Sequence, residues 1–82
     1  MSEGRVALQM PQLGNGVDSA LIEEWLVGVG EEVAQGEPVV LIETDKASME
    51  LEAPVTGKLV AVIAEDGAEV EIGAVLAEFE RA

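Results

Sequence analysis

Apolar residues along this chain fall in short runs, and none settles into the stripe that an amphipathic helix shows. Val39-Val40-Leu41-Ile42 is a continuous aliphatic run, and a second extends from 59 to 64. Between them Met49, Leu51 and Ala53 alternate with Glu50 and Glu52. Glycine, proline, asparagine and aspartate separate the runs, which is how strands joined by turns are written in sequence. The pattern predicts an all-β domain with strands over 5–9, 20–27, 32–33, 39–44, 48–53, 58–64, 69–70 and 75–80. Over 48–53 the alternation sends Met49, Leu51 and Ala53 to one face and both glutamates to the other. Over 20–27 it is interrupted at Glu23-Glu24, where a β-bulge is expected.

The chain also repeats itself. Gly30-x-Glu32-Val33-x-x-Gly36 recurs as Gly67-x-Glu69-Val70-x-x-Gly73, displaced by 37 residues, and each copy has an aliphatic strand before and after it. A half-barrel duplicated about a pseudo-two-fold axis accounts for this, each half burying its apolar face against the other. Residue 46 then lies in the link between the halves, and the equivalent place after the second half is the C-terminus. Both termini are expected at one end of the domain and Lys46 at the opposite end.

Eighty-two residues make one small domain, with its core expected over about 5–80. The chain has no cysteine and no histidine. Disulfides, cysteine metal sites, the usual zinc ligand and every Ser-His or Cys-His nucleophile are therefore excluded. Pairs such as Glu23-Glu24 and Glu31-Glu32 put neighbouring carboxylates on opposite faces of a strand. No catalytic site is expected. Seventeen acidic against four basic residues give a net charge of −13. Such a surface repels phosphate backbones and anionic membranes and favours partners with basic faces. The longest apolar run is far too short to cross a bilayer, and the N-terminus is read as neither a signal nor a transit peptide.

With so few cations, a lysine held among acids in a turn is conspicuous. Glu43-Thr44-Asp45-Lys46-Ala47-Ser48-Met49-Glu50 is a polar break between two apolar runs and predicts a β-hairpin with Lys46 at its tip. There an enzyme can reach the amine and attach a group to it. A solvent-exposed lysine amine is protonated at neutral pH and is a poor nucleophile. It does not select its own acyl donor, so a separate ligase must deprotonate and modify it. Asp45 and Ala47 flank the target on a fixed stage, and the small Ala47 leaves room beside the amine.

Several motifs together resemble the lipoyl domains of 2-oxo acid dehydrogenase complexes, within the biotinyl/lipoyl attachment family. They are Glu43-Thr44-Asp45-Lys46-Ala47, Met10-Pro11-x-Leu13-Gly14-x-Gly16, Trp25-Leu26-Val27-x-x-Gly30 and Glu52-Ala53-Pro54, and the likeness runs over about 6–79. The resemblance implies a flattened eight-stranded barrel-sandwich of two four-stranded sheets, with (R)-lipoate in amide linkage to Lys46. The domain is then a non-catalytic, monomeric carrier, modified by a lipoate ligase or octanoyl transferase. Its arm visits a thiamine-diphosphate-dependent decarboxylase, an acyltransferase core and dihydrolipoamide dehydrogenase. The resemblance further implies recognition roles for Glu43, Asp45, Ala47 and Glu50, and for Gly30 packed near the hairpin. Leu13, Gly14, Asn15 and Gly16 form a loop beside the hairpin that contributes to recognition by the decarboxylase.

Two other readings accompany this one. A biotinyl carrier shares the hairpin lysine, but the resemblance there calls for methionine on both sides, where this chain has Asp45 and Ala47. The other is an unmodified β-sandwich adaptor in which Lys46 is an ordinary turn residue. Lys58 follows a Thr56-Gly57 turn without the flanking stage, and Trp25 is read as structural. The chain is expected to be the N-terminal domain of a larger acyltransferase subunit in the cytoplasm of a bacterium, with the mitochondrial matrix as the alternative. Met10-Pro11-x-Leu13-Gly14 and Lys46-Ala47-Ser48-Met49 lean towards a pyruvate complex, with branched-chain oxo acids and acetoin as the alternative substrates.

Overall fold

The computed structural model describes residues 4–82. Met1-Ser2-Glu3, on which the reading of the N-terminus rests, lies outside them. Eight strands follow in order: β1 (Arg5–Gln9), β2 (Ser19–Trp25), β3 (Glu32–Val33), β4 (Pro38–Glu43), β5 (Ser48–Glu52), β6 (Gly57–Val62), β7 (Glu69–Glu71) and β8 (Val75–Arg81). Every predicted strand is present, with ends differing by two residues or fewer. The strands form two four-stranded antiparallel sheets, ordered β1-β8-β6-β3 and β5-β4-β2-β7.

Exchanging β1 with β5, β2 with β6, β3 with β7 and β4 with β8 converts one sheet order into the other. The pseudo-two-fold axis is therefore real, but the halves do not simply face one another as the repeat suggested. Each sheet takes two strands from each half, because β2 pairs with β7 and β6 pairs with β3. The symmetry reaches individual hydrogen bonds. Leu26 N–H donates to Val39 O, and 37 residues on Ile63 N–H donates to Leu76 O, both at 2.8 Å. Met10 bonds Gly73 and Ala74 at one corner between the sheets, and Ala53 bonds Gly36 and Glu37 at the other.

Bulges repeat as well. Between β2 and β4 the register slips across Glu23, as the broken alternation predicted. Between β6 and β8 it slips across Val60, the equivalent position. Further slips leave Val39 as the extra residue on β4 and Leu76 on β8. These last two explain why Val39-Val40 and Leu76-Ala77, each pair consecutive, are all fully buried.

The core between the sheets is wholly apolar, with no polar or charged residue buried among the described residues. It too is built of equivalents: Leu8 with Leu51, Met10 with Ala53, Ile22 with Leu59, Val33 with Val70, Val40 with Ala77, and Ile42 with Phe79. Leu51 and Ala53 point inward as expected, while Met49, on the same face, is 37 % exposed because the hairpin carries it past the core's edge. Trp25 packs on the core's flank and donates from Nε1 to Ala64 O at 2.7 Å. Its role is structural. Not all the acids are plain solvating groups: Glu31 and Glu37 accept backbone N–H bonds from Gly28 (2.8 Å) and Ala34 (2.9 Å) and close their own turns.

The first and last described segments meet, since Arg5 pairs with Glu80 and Arg81 N–H donates to Gly4 O. Ile72 bonds Asp18, and Met10 bonds Gly73, so the end of β1 and the start of β8 lie near Ser19 and the β4–β5 turn. The other ends of those two strands, with Gly4 and Ala82, the first and last described residues, lie at the far end of the molecule from Lys46.

Gly57 marks where the pseudo-symmetry tightens. A Cβ placed there would run into the backbone carbonyl of Glu80 on β8, whereas the equivalent Ala20 keeps its methyl in the core. Gly57→Ala is expected to destabilise the domain by about 1–3 kcal/mol, as an overpacked backbone contact does. Urea unfolding would show a lower midpoint with little change in slope.

Candidate functional site

Four residues, Thr44 to Ala47, connect β4 to β5, and Lys46 sits with Asp45 at the two-residue tip. Glu43 and Ser48 form the last regular rung, and the next is closed by Thr44 N–H donating to Ala47 O at 2.8 Å. Two-residue hairpin loops usually need residues with positive φ. Asp45 and Lys46 do not have it, for no non-glycine residue among those described does. The side chain of Thr44 completes the loop instead. Its Oγ1 accepts the N–H of Lys46 at 3.3 Å and of Ala47 at 3.2 Å, and donates to Ala47 O at 3.2 Å. Sequence reasoning missed this residue, because a β-branched threonine after an aliphatic run reads as the end of a strand.

Lys46 is exposed and takes part in no ion pair, the one such pair among the described residues being Arg5–Glu78 at 3.1 Å. It borders an open groove whose remaining walls come from three segments. Gly16, Val17 and Asp18 lead into β2, Ser19 and Leu21 belong to β2, and Glu69 opens β7. Ser19 Oγ donates to Glu69 Oε2 at 2.9 Å across the β2–β7 pair. Glu43 and Asp45 complete the rim, so carboxylates surround the amine without binding it. Nothing here forms a nucleophile-base pair, and no cluster among the described residues is arranged to hold a metal ion.

The expected recognition residues are only partly brought together. Glu43, Asp45 and Gly16 line the groove with Lys46, and Ala47 closes the loop. Leu13 is half-buried and anchors its loop on the core, while Gly14 and Asn15 are exposed beyond the groove. Glu50 is exposed on β5 opposite Leu41, outside the groove.

Gly30 is not near the hairpin. Its N–H donates to Leu59 O at 2.8 Å, and the following Glu32 pairs with Lys58 at the termini end. The reason is the strand exchange: the β2–β3 turn docks on β6, from the other half. Its equivalent Gly67 takes the hairpin side, donating to Ile22 O at 2.7 Å, one residue from Leu21 of the groove.

A second groove lies at the termini end, bordered by Glu32, Thr56, Lys58, Glu80, Arg81 and Ala82. It is the pseudo-symmetric mate of the first: Thr56 stands for Ser19, Lys58 for Leu21, Glu80 for Glu43, and Ala82 for Asp45. Where the hairpin carries Asp45 before its lysine, this end carries Ala82, the last described residue. Lys58 lies within β6 between Glu32 and Glu80, not at a tip.

A family profile covering biotin and lipoyl attachment domains, described as "Biotin-requiring enzyme", matches residues 6–79. The chain belongs to the biotinyl/lipoyl attachment family. Among curated proteins, this attachment domain is 42 % identical over 73 residues to the dihydrolipoyllysine-residue succinyltransferase component of the 2-oxoglutarate dehydrogenase complex of Bartonella vinsonii subsp. berkhoffii, covering 89 % of this chain and 18 % of that protein. It is 39 % identical over 70 residues to the dihydrolipoyllysine-residue acetyltransferase component of the pyruvate dehydrogenase complex of Corynebacterium glutamicum, covering 85 % and 10 %. The chain thus spans less than a fifth of the length of these relatives. Among solved structures, the lipoyl domain of the Azotobacter vinelandii 2-oxoglutarate dehydrogenase complex superimposes with a TM-score of 0.77 at 26 % identity, over 94 % of this chain and 98 % of that one. A multi-domain long-chain acyl-CoA carboxylase shares the fold, with a TM-score of 0.83 at 24 % identity over 100 % of this chain and 8 % of the carboxylase.

Glu43 lines the groove without a hydrogen bond of its own side chain among the described residues. Glu43→Gln is therefore expected to change stability by less than about 0.5 kcal/mol, as exposed substitutions do. Chemical unfolding of the two proteins side by side checks this.

Proposed function

We propose that this domain is a lipoyl carrier, with (R)-lipoate amide-linked to Nζ of Lys46. The observation that carries the reading is the lysine itself: exposed, unpaired, and held at the tip of a hydrogen-bonded hairpin in a fold of the biotinyl/lipoyl family. An amine already engaged in a salt bridge or buried against the core would have to be extracted before modification; this one does not. Asp45 and Ala47 support lipoate over biotin, and the relatives' names refer to lipoyllysine.

A ligase would use ATP to convert the lipoate carboxyl to an acyl adenylate with loss of pyrophosphate. It would take the ammonium proton and let Nζ attack the carboxyl carbon, the C–O bond to AMP breaking as the amide forms and the nitrogen's second proton passing to solvent. Once attached, the group supplies a dithiolane that accepts an acyl group together with electrons. The chain's own residues supply position. The hairpin fixes where the arm is rooted, the strands beneath hold the hairpin in register, and the carboxylate rim gives an enzyme with a basic face a surface to approach. The exchange partners proposed are a thiamine-diphosphate-dependent decarboxylase, an acyltransferase core and dihydrolipoamide dehydrogenase, with the domain part of a dihydrolipoamide acyltransferase in a bacterial cytoplasm. Met10-Pro11-x-Leu13-Gly14 and Lys46-Ala47-Ser48-Met49 support a pyruvate complex, while the two relatives divide between 2-oxoglutarate and pyruvate.

Incubation with lipoate, ATP and a lipoate ligase should add one lipoyl group by intact mass, and Lys46→Arg should abolish the addition while leaving the unfolding midpoint unchanged. Continued labelling of the Lys46→Arg variant sinks the assignment to this lysine. Replacement of both Asp45 and Ala47 by Met should slow lipoylation. A biotin adduct on the parent, formed by a biotin ligase in preference to lipoate, favours the carboxylase-type carrier instead.

A further inference from the structure

Resting on the carrier reading, we infer that Thr44 is the positioning residue for modification of Lys46, acting through its hydroxyl. A hydroxyl has one hydrogen to donate and two lone pairs to accept with, and all three capacities of Thr44 Oγ1 are used inside the loop. It donates to Ala47 O and accepts from the backbone N–H groups of Lys46 and Ala47. The loop needs this. With both of its residues at negative φ, the backbone twist does not match that of the flanking strands, and such turns tend to splay them. Ala47 N–H is bonded to the hydroxyl of Thr44, while Thr44 N–H bonds Ala47 O from the other side. The hydroxyl thus bridges the gap that a left-handed turn would close with backbone alone.

The bond to Lys46 N–H is the one that bears on function. It fixes the peptide unit preceding Lys46, and with it the direction in which Cα–Cβ leaves the loop. Without it the loop samples other conformations, and only a fraction presents the amine where a ligase bound to the rim can reach it. A ligase that selects one conformer sees its apparent affinity fall by that fraction, while the turnover of the correctly bound complex is unchanged. The effect is expected in KM for the protein substrate and not in kcat.

Thr44→Val removes the hydroxyl and keeps the branched shape, and Thr44→Ser keeps the hydroxyl. Steady-state lipoylation should show KM raised about threefold to tenfold for the Val variant, as losing weak hydrogen bonds implies, with kcat within about twofold of the parent. The Ser variant should return towards the parent. Amide hydrogen exchange at Lys46 and Ala47 should be faster in the Val variant and restored in the Ser variant. Thr44→Ala repeats the test with a side chain that cannot overpack, should the Val variant fold poorly. An unchanged KM in the Val and Ala variants overturns the inference. So does a Ser variant as impaired as Val, which would assign the effect to the methyl group. A parent chain that accepts biotin but not lipoate overturns the proposed cofactor alone, and Thr44 is then judged on the biotinylation KM. A parent modified by neither ligase overturns both.

Discussion

The exchange of strands between the two halves is the constraint on which the rest of this molecule depends. Each central pair, β2 with β4 and β6 with β8, is internal to one half and carries a bulge. Each of the four outer pairs, β1 with β8, β4 with β5, β2 with β7 and β6 with β3, belongs to both halves. A half taken alone would keep a single strand pair, leave its other two strands without a partner, and turn its apolar face to water. The core therefore exists only when both halves are folded together. In a chain this short, with no disulfide to limit the unfolded state, that mutual dependence makes a single cooperative core possible.

Symmetry of this kind produces two equivalent ends, and function needs only one. Two differences separate them. Between Pro11 and Asp18 the first half carries six residues that have no counterpart between Pro54 and Val55, and Gly16 and Val17 of that stretch line the lysine groove. The second difference is the loop: at the hairpin end the chain turns from β4 into β5 through Asp45 and Lys46, while the corresponding place beyond β8 carries Arg81 and Ala82. The same architecture therefore presents a lysine at one end and a groove without such a loop at the other.

Much of the fold was legible because the signals were local. The eight strands followed from runs and punctuation, and the bulge at Glu23 showed because two glutamates interrupt an alternation. Its twin at Val60 left no mark, since residues 59 to 64 are all apolar and a slip there changes no pattern. The repeat revealed the symmetry but not the exchange of strands, because sequence similarity between halves says nothing about which half a strand pairs with. Gly30 was misplaced for that reason, and Gly67 and Glu69 were overlooked at the hairpin end. At the site, Lys46 stood out by charge and context. Thr44 did not, since its contribution lies in the geometry of three hydrogen bonds and not in its residue type.

Stability and site are kept apart by this arrangement. The buried residues are apolar throughout, and the groups that surround Lys46 are exposed carboxylates and loop backbone. Among the described residues no buried polar group ties the two together. Changes at the rim can therefore alter how a partner meets the hairpin without threatening the core, whereas a single added methyl at Gly57 strains the fold at the far end. The amidation proposed for Lys46 would fit the same division. It would remove the one positive charge at the hairpin end and leave Asp18, Glu43, Asp45 and Glu69 around the lysine, while Arg5, Lys58 and Arg81 remain at the other end. Neutralising Lys46 would thus make the hairpin end uniformly acidic without touching a residue that the core requires, so the surface field there is set independently of the packing beneath it.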